Sequence, residues 1–274
     1  MSHEEILNLI NLISPHGKNY VENSFKNNEA EILYSLCTLD NKGVFVKADS
    51  TDCCIFYAAF LKDNDMDELL AFIERITKNY ISMNSSKEIC FNVYGEDRNI
   101  INLARRLGFK PDMYGYHMEY TGKVFLEPDN ISLTIKGFES SMIKAFSTLF
   151  DSAYYKLNID NGWELNYYTG HEEYFHKKLI NLSKNNNIVS FWLGNELAGA
   201  YIIEENYITD LVVNPEFQNK GYGSYMLHHC IRNLKMDKAI DKIRLRVAES
   251  NTGAFRLYKR NGFKEITHFA EHTL

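Results

Sequence analysis

The chain has 274 residues and a mass of 31.9 kDa, a length that predicts two domains or one large one. With 45% hydrophobic and 24% charged residues, the composition is that of an ordinary globular protein and excludes a disordered chain. The formal net charge of −6 gives no electrostatic attraction to a polyanion, so we do not expect nucleic acid as a partner.

The cysteines indicate a reducing compartment. They are odd in number, two are adjacent, and none forms a CxxC pair with metal-ligand spacing: Cys37, Cys53, Cys54, Cys90 and Cys230. The first residues lack the pattern of a signal peptide, and no window has about 18 consecutive apolar residues. We therefore expect a cytoplasmic protein with neither a metal nor a membrane partner.

The sequence repeats itself at an offset of 154 residues. Gly108-Phe109-Lys110 aligns with Gly262-Phe263-Lys264, and seven of the 23 positions from Glu88 to Lys110 are identical in the two copies. Chance would give about one or two identities, although two convergent strand-turn-helix segments could also match. The Gly, Pro and Asn residues between Gly122 and Asn130 are typical of a linker. The pattern predicts two domains, residues 1–125 and 126–274.

The second copy has the clearer pattern of elements. Apolar periodicity predicts a strand, two helices, three strands, a helix, a strand, a helix and a last short strand. The predicted strands are Ile131–Gly137, Asn187–Leu193, Leu197–Glu204, Tyr207–Val213, Lys242–Ala248 and residues from Lys264 onwards. The predicted helices are Ser140–Tyr155, Glu172–Ser183, Gly221–Leu234 and Thr252–Asn261. This order predicts an α/β fold with a mixed sheet and helices on its faces.

A glycine-containing turn follows the third of the three consecutive strands and begins a helix. Glycine permits backbone angles and close approaches that residues with a Cβ avoid, and a helix start presents free N–H groups and a partial positive charge. The segment can therefore bind a pyrophosphate, assisted by the Lys220 ammonium or the Ser224 hydroxyl. A glycine turn that merely starts a helix would look the same. The residues of the turn are Gln218, Asn219, Lys220, Gly221, Tyr222, Gly223 and Ser224.

Two motifs together resemble the GNAT superfamily of N-acetyltransferases. The first is VxPxxQxxGxG, from Val213 to Gly223, and the second runs from Asn251 through Ala254, Leu257 and Tyr258 to Gly262-Phe263. The resemblance covers about residues 131 to 274. It implies two tandem GNAT-like domains, each a mixed, mostly antiparallel twisted sheet with helices on both faces, of which the second is catalytic. It also implies acetyl-CoA as donor substrate, with its pyrophosphate on the glycine turn and its pantetheine arm paired with Leu211, Val212 and Val213.

The resemblance also implies roles for individual residues. Tyr258 matches the family tyrosine that protonates the coenzyme A thiolate, and a phenol of pKa near 10 is protonated at neutral pH. A tyrosine packed against the sheet is the structural alternative. Asn251 matches a residue that contacts the cofactor, and it is equally expected as a helix N-cap. A strand bulge is expected to free the N–H of Val212 or Val213 as the oxyanion donor.

The general base stays open at the level of sequence. Many family members carry a glutamate where this chain has Tyr207. Strand alternation places Asp210 on the face opposite Tyr207, Leu211 and Val213, so it is not assigned as the base. Glu204, Glu205, a chain of water molecules, or binding of the neutral amine could serve instead.

The first copy lacks the cofactor residues. Asn64 to Leu69 align with Gln218 to Gly223 but contain no glycine and three carboxylates, those of Asp65, Asp67 and Glu68, and Ala104 aligns with Tyr258. A like-charge contact at about 4 Å costs a few kcal/mol at an effective dielectric near 20. We expect a degenerate copy that binds no coenzyme A in this way. The carboxylates are also ordinary residues of a first helical turn.

The sequence predicts an N-acetyltransferase that transfers the acetyl group of acetyl-CoA to a primary amine, of a small molecule or a peptide N-terminus, in a ternary complex. Aromatic residues interspersed with carboxylates, in the region that lines the acceptor side in the family, suit a cationic amine but are also typical of core packing. The alternative function is a non-catalytic acyl-CoA-binding regulatory protein. The sequence does not indicate the oligomeric state. The acceptor-side residues are Tyr154, Tyr155, Trp163, Tyr167 and Tyr168, with Asp160 and Glu164.

Overall fold

A computed structural model describes residues 1–62, 66–84, 86–122 and 132–274. The chain forms two compact units, residues Met1–His117 with Glu265–Leu274, and residues Met118–Lys264. The division made from the sequence, at residues 125 and 126, differs because the last ten residues group with the first unit. Apart from Gly122, the predicted linker from Gly122 to Asn130 lies outside the described residues.

The first unit begins with two helices, followed by strands and helices that alternate. In chain order its elements are α1 (His3–Asn11), α2 (Pro15–Lys26), β1 (Ala30–Cys37), β2 (Lys42–Asp49), β3 (Cys53–Phe60), α3 (Met66–Met83), β4 (Glu88–Tyr94), α4 (Arg98–Arg106) and β5 (Lys110–Tyr120), whose last residues belong to the second unit.

Apart from one additional short helix, the second unit has the order of elements predicted for the second copy. Its elements are β6 (Thr134–Gly137), a short 3₁₀ helix (Ser140–Met142), α5 (Ile143–Asn161), α6 (Tyr167–Gly170), α7 (Glu172–Ser183), β7 (Ile188–Leu193), β8 (Glu196–Glu204), β9 (Tyr207–Val213), α8 (Tyr222–Arg232) with a π-helical end (Asn233–Asp237), β10 (Arg244–Ala248), α9 (Thr252–Arg260) and the start of β11 (Phe263–Thr273).

Each unit has a mixed sheet. In the first unit the strands lie in the order β1-β2-β3-β4-β11-β5, and in the second in the order β10-β9-β8-β7-β6. The pairs β3–β4 and β9–β10 are parallel, whereas β1–β2, β2–β3, β6–β7, β7–β8 and β8–β9 are antiparallel. The predicted α/β fold with a mixed sheet is therefore confirmed.

Strand alternation gives the sheet of the first unit two buried faces. Phe45, Phe56 and Phe91 pack into a core with residues of α3 and α4. Val44 and Val46, which flank Phe45 in β2, pack into a second core with residues of α1 and α2. The consecutive apolar residues Val44, Phe45 and Val46 of β2 are thus accounted for by helices on both faces.

The two units share elements at the offset of the sequence repeat. Helices α4 and α9 begin 154 residues apart, at Arg98 and Thr252. Asp97 caps α4 by accepting the Ile100 N–H at 3.1 Å, and Asn251 caps α9 by accepting the Ala254 N–H at 3.1 Å. Gly108 and Gly262 follow the helices with φ of +98° and +92°. Each helix therefore begins with a side-chain cap and is followed by a glycine with positive φ, so the two segments share their local structure.

Three elements differ from the prediction. Helix α5 continues to Asn161 rather than ending near Tyr155, and the short helix α6 was not predicted. The predicted short final strand is wrong in length, because β11 has eleven residues and pairs with β4 from Phe269 to Thr273. Phe269 and Ala270 are both buried, which shows that this strand has apolar contacts on both faces of the first unit's sheet.

Gly199 in β8 allows the close approach of strand and helix in the second unit. A Cβ at this position would lie 2.5 Å from the Val212 carbonyl oxygen and 2.6 Å from the Met226 Sδ. We predict that Gly199→Ala lowers the free energy of unfolding by about 1 to 3 kcal/mol, measured by urea denaturation. Gly137→Ala is the matched control, since a Cβ there meets nothing within 4 Å. Equal effects of the two substitutions would contradict the prediction.

Candidate functional site

The second unit contains a cavity of about 330 Å³ between the end of β9, the start of α8 and α9. It is lined by nine of the predicted cofactor-binding residues, Leu211, Val212, Val213, Gln218, Asn219, Gly221, Gly223, Ser224 and Asn251. It is also lined by Ala153, Tyr154, Gly253, Ala254, Arg256, Leu257 and Arg260. The predicted residues Lys220, Tyr222 and Tyr258 are not among its lining residues.

The backbone at the start of α8 leaves N–H groups directed out of the helix. Gly221 is the N-cap residue with φ of +89°, where no side chain caps the helix, and Asn219 has φ of +60°. Tyr225 donates its N–H to the Gly221 carbonyl at 3.2 Å, so helical bonding begins there. The N–H groups of residues 222 to 224 precede that bond and have no partner inside the helix. This end of the cavity therefore suits an anion.

The polar side chains of the turn mostly contact the protein itself. The Gln218 amide donates to the Val213 carbonyl at 3.1 Å, and Ser224 Oγ accepts from the Asn261 amide at 3.2 Å. The Lys220 ammonium donates to the Glu216 carbonyl at 2.9 Å and lies 5.5 Å from the centre of the Phe217 ring. Lys220 thus stabilises the turn, and its charge is not directed into the cavity.

Two arginines that the sequence analysis missed line the cavity. Arg256 and Arg260 lie four residues apart on α9, and both side chains are exposed. Residues four apart share one helix face, so the spacing of the two arginines could have indicated from the sequence that they lie on the same face of α9. Asn251 lies at the start of the same helix, where the predicted N-cap bond is present.

Beyond Ile208, one edge of the strand β9 pairs with no other described strand and lies beside the cavity. On that edge β9 pairs with β10 through Tyr207 and Ile208 only, and on its other edge it pairs with β8 from Tyr207 to Val213. Asn214 donates its N–H to the Ala198 carbonyl at 2.9 Å. Antiparallel alternation then directs the N–H of Val212 towards β8 and those of Leu211 and Val213 away from it. Of the two predicted oxyanion donors, only Val213 is therefore oriented towards the open edge.

The bulge lies earlier in β9 than predicted. The register with β8 shifts between the pairs Ile203–Ile208 and Ile202–Asp210, so that Thr209 is the additional residue. Side chains of paired residues share a face. Tyr207 pairs with Glu204 and Asp210 with Ile202, two positions on the same face of β8. The prediction that Asp210 and Tyr207 lie on opposite faces is therefore wrong, because the bulge changes the alternation between them.

Asp210 is bonded to a residue of the cavity wall. The Tyr154 hydroxyl donates to the Asp210 carboxylate at 2.8 Å, and Tyr154 lines the cavity from α5. Burial, and then the negative charge of Asp210, raise the pKa of Tyr154 well above its usual value. The other candidate bases differ. The Glu204 carboxylate lies 3.1 Å from the Lys178 ammonium, and Glu205 is exposed in a turn.

Tyr258 is buried on the inner side of α9. Its side chain is 7% exposed and its ring packs against Phe263 with the ring centres 5.8 Å apart. Burial, followed by the negative charge of Asp210, raises the pKa of the Tyr258 hydroxyl above its usual value, so this phenol stays protonated at neutral pH. The packing expected of a structural tyrosine is present together with an electrostatic link to Asp210.

A second cavity of about 240 Å³ shares Tyr154 with the first. Its lining residues are Tyr154, Leu157, Asn158, Trp163, Glu164, Tyr167 and Tyr168. Most of the predicted acceptor-side residues are thus brought together. Tyr155 is not among them and is 52% exposed, and the Asp160 carboxylate is paired with the Lys156 ammonium at 2.8 Å.

Comparison with known proteins finds similarity between the second unit and one family. The model of the acetyltransferase (GNAT) family matches residues 143–263. Residues 143–263, which contain the lining residues of both cavities, are therefore similar to the GNAT family of acetyltransferases.

Two relatives are ribosomal protein bS18-alanine N-acetyltransferases. The enzyme of Haemophilus ducreyi is 34% identical over 92 residues, 33% of this chain and 59% of the relative. The enzyme of Salmonella typhimurium is 33% identical over 66 residues, 24% of this chain and 44% of the relative. The chain thus spans less than two thirds of the length of either relative.

Solved structures share the fold over most of the chain. A GCN5-related N-acetyltransferase from Sphaerobacter thermophilus has a TM-score of 0.58 and 14% identity, covering 87% of this chain and 82% of that chain. A tandem GNAT protein from the clavulanic acid biosynthesis pathway has a TM-score of 0.50 and 11% identity, covering 100% and 96%. At these identities the likeness concerns the fold, and it includes the tandem arrangement.

In the described parts of the chain, no cluster of three or more His, Cys, Asp and Glu side chains could hold a metal ion. None of the described helices is long and apolar enough to cross a membrane.

The bond between Tyr154 and Asp210 gives a prediction about stability. Because a hydrogen bond to a carboxylate contributes about 1.5 to 3 kcal/mol, we expect Tyr154→Phe to lower the free energy of unfolding by about that amount. Tyr155→Phe removes the same atom from an exposed neighbour and should change it by less than about 0.5 kcal/mol. Urea denaturation of the two variants measures both effects. If the two tyrosines proved equally tolerant, the bond would not stabilise the fold.

Proposed function

We propose that the protein transfers the acetyl group of acetyl-CoA to a primary amine, by direct attack of the amine in a ternary complex. The observation that carries this proposal is the cavity that joins the start of α8, the open edge of β9 and Tyr154. It combines an anion site, a row of backbone groups and a hydroxyl bonded to a carboxylate.

The diphosphate is proposed to bind at the start of α8. Free N–H groups and the positive end of the helix attract an anion, and Gly221 and Gly223 let a phosphate approach the backbone. Arg256 and Arg260 add two positive charges from α9. Asn251, Gln218, Asn219 and Ser224 would contact the ligand along the same wall. In this proposal Lys220 and Tyr222 support the turn from behind.

The pantetheine arm is proposed to extend along β9. The N–H groups of Leu211 and Val213 point towards the free edge, as the backbone of an added strand requires. The side chain of Val212 packs into the hydrophobic core of the second unit. The N–H of Val213 would then donate to the thioester oxygen and stabilise the negative charge that develops during attack.

Two proton transfers complete the reaction. The amine nitrogen forms a bond with the thioester carbon, and the carbon–sulfur bond breaks to release the thiolate. Tyr258, which stays protonated, is proposed to give the thiolate its proton. Tyr154 and Asp210 are proposed to receive the proton of the attacking amine, since Tyr154 lines the cavity and its hydroxyl already donates to Asp210. Asp210 thereby replaces the family glutamate that is absent at Tyr207.

Tyr258→Phe tests the proposed acid. Because general acid catalysis contributes about 10² to 10⁴ in rate, we predict that this variant lowers kcat by at least about 10²-fold. Acceptor-dependent release of free thiol from acetyl-CoA, measured over an amine and peptide panel, provides the rate. Tyr155→Phe is the control and should retain the parent rate. An unchanged rate in Tyr258→Phe would remove Tyr258 from this role.

Arg260→Ala tests the proposed diphosphate site. Loss of one ion pair to phosphate should weaken coenzyme A binding about tenfold, which is about 1.4 kcal/mol, and the effect should shrink as salt screens the charge. Arg106→Ala is the matched control, because Arg106 is the exposed arginine at the same position of α4. Calorimetric titration with coenzyme A measures both. Equal affinities of the two variants would contradict the site.

The panel also addresses the alternative function. Tight binding of acetyl-CoA without thiol release for any acceptor would indicate a non-catalytic acyl-CoA-binding protein. Thiol release that depends on an amine would exclude it.

A further inference from the structure

The aromatic cavity is built from four rings and one carboxylate. Its walls are the side chains of Tyr154, Trp163, Tyr167 and Tyr168, with Glu164 among the lining residues. The rings of Tyr154 and Tyr168 are stacked with centres 6.0 Å apart, and those of Tyr167 and Tyr168 are perpendicular at 5.4 Å. Aromatic faces attract cations, and neither a lysine nor an arginine is among the residues that line this cavity.

Buried polar residues hold these walls in place. The Asp151 carboxylate accepts from the Tyr168 N–H at 2.9 Å, the Thr169 N–H at 3.0 Å and the Thr169 hydroxyl at 2.7 Å. The Asn158 amide donates to the Glu164 carbonyl at 2.9 Å. Both Asp151 and Asn158 are buried. The aromatic walls are therefore formed before any ligand binds, which reduces the entropy lost on binding.

The charge at the rim of the cavity is negative. Glu164 Oε1 lies 3.4 Å from the His171 imidazole Nε2, which is an ion pair only when that imidazole is protonated, and the side chain of Glu164 is 58% exposed. The nearby Lys156 ammonium is already paired with Asp160 at 2.8 Å. A carboxylate beside aromatic faces recognises an alkylammonium group better than a neutral or anionic one.

Tyr154 is a wall of both cavities. It lines both the proposed cofactor cavity and the aromatic cavity, and its hydroxyl donates to the Asp210 carboxylate. An acceptor whose reacting nitrogen lies at Tyr154 can therefore extend its carbon chain into the aromatic cavity. Pockets for drug-sized ligands measure about 300 to 1,000 Å³, so a cavity of about 240 Å³ suits the end of a small molecule.

We propose that the aromatic cavity binds a second cationic group of the acceptor, so that the acceptor class is a small aliphatic amine with two or more positive charges. This proposal rests on the proposed acetyl transfer. One nitrogen, in its neutral form, attacks the thioester beside Tyr154, while another remains protonated between the rings and Glu164. The nitrogen in the aromatic cavity takes no part in the chemistry and determines specificity.

Matched amines test this assignment with the full-length chain. We compare 1,4-diaminobutane with 1-aminobutane, which has the same carbon chain without the second charge, and with a peptide that begins with alanine. With saturating acetyl-CoA, kcat/KM for the diamine should exceed that for the monoamine by at least about tenfold, as expected for a desolvated cation on aromatic rings. A higher kcat/KM for the peptide, or equal values for the two amines, would overturn the proposal.

Variants of the cavity assign the preference to its residues. In Trp163→Leu and in the conservative Glu164→Gln, the ratio of diamine to monoamine kcat/KM should fall by about tenfold or more. Glu173→Gln is the control, because Glu173 is exposed and paired with Lys177 at 2.6 Å. An unchanged ratio in both cavity variants would overturn the assignment even if each is active.

A binding measurement separates this proposal from the proposed function. Calorimetric titration of 1,4-diaminobutane into the protein saturated with coenzyme A, which carries no acetyl group, should show binding that Glu164→Gln weakens about tenfold and Glu173→Gln leaves unchanged. Binding of this kind without turnover of any amine would support the cation site and refute acetyl transfer. Thiol release from monoamines without detectable diamine binding would support acetyl transfer and overturn the cation site.

Discussion

The site depends on the point at which β9 leaves β10. Parallel pairing extends through Tyr207 and Ile208, and the bulge at Thr209 follows at once. Beyond it β9 is paired with β8, so its other edge presents backbone groups to the cavity instead of to a strand. An exposed strand edge is a ready partner for an extended chain. The same bulge turns Asp210 towards α5, where Tyr154 meets it. One irregularity thus creates both the proposed cofactor edge and the proposed acceptor of the amine proton.

Much of the fold and of the proposed cofactor site could be predicted because local signals determined them. The strand β9, the turn and the helix α8 are contiguous in sequence, and Gly221 has the positive φ that a glycine at a helix start suggests. Residues 207–213 and 172–183 form the predicted strand and helix without a change of bounds. Gly108-Phe109 and Gly262-Phe263 follow equivalent helices, and their identity fixed the register of the repeat.

The remaining features depend on contacts that alternation cannot reveal. A bulge is set by how two strands pair, so the face of Asp210 could not be read from β9 alone. The length of β11 depends on β4, which lies about 180 residues earlier and supplies the partner for Phe269. That Arg256 and Arg260 line the cavity could not be predicted, because it depends on where α9 packs relative to the end of β9. Tyr155 was predicted on the acceptor side but is exposed to solvent. Adjacent residues of a helix face different directions, so Tyr155 does not share the position of Tyr154.

The two halves show how a repeated scaffold can differ in chemistry. The equivalents of Tyr258 and Arg260 are Ala104 and Arg106, and Ala104 is fully buried in an apolar cluster with Ile100 and Leu103. No hydroxyl is present there to protonate a thiolate, although the helix has the same length and the same kind of cap. The described start of α3 carries Asp67 and Glu68, which complement the positive end of that helix and would repel a diphosphate. Asp65, the third predicted carboxylate, lies outside the described residues.

Capping and turn residues are required to form the helix in either half, whereas the anion site and the tyrosine are required only where a cofactor binds. The scaffold can therefore persist where the site does not, and this supports assigning acetyl transfer to the second half alone.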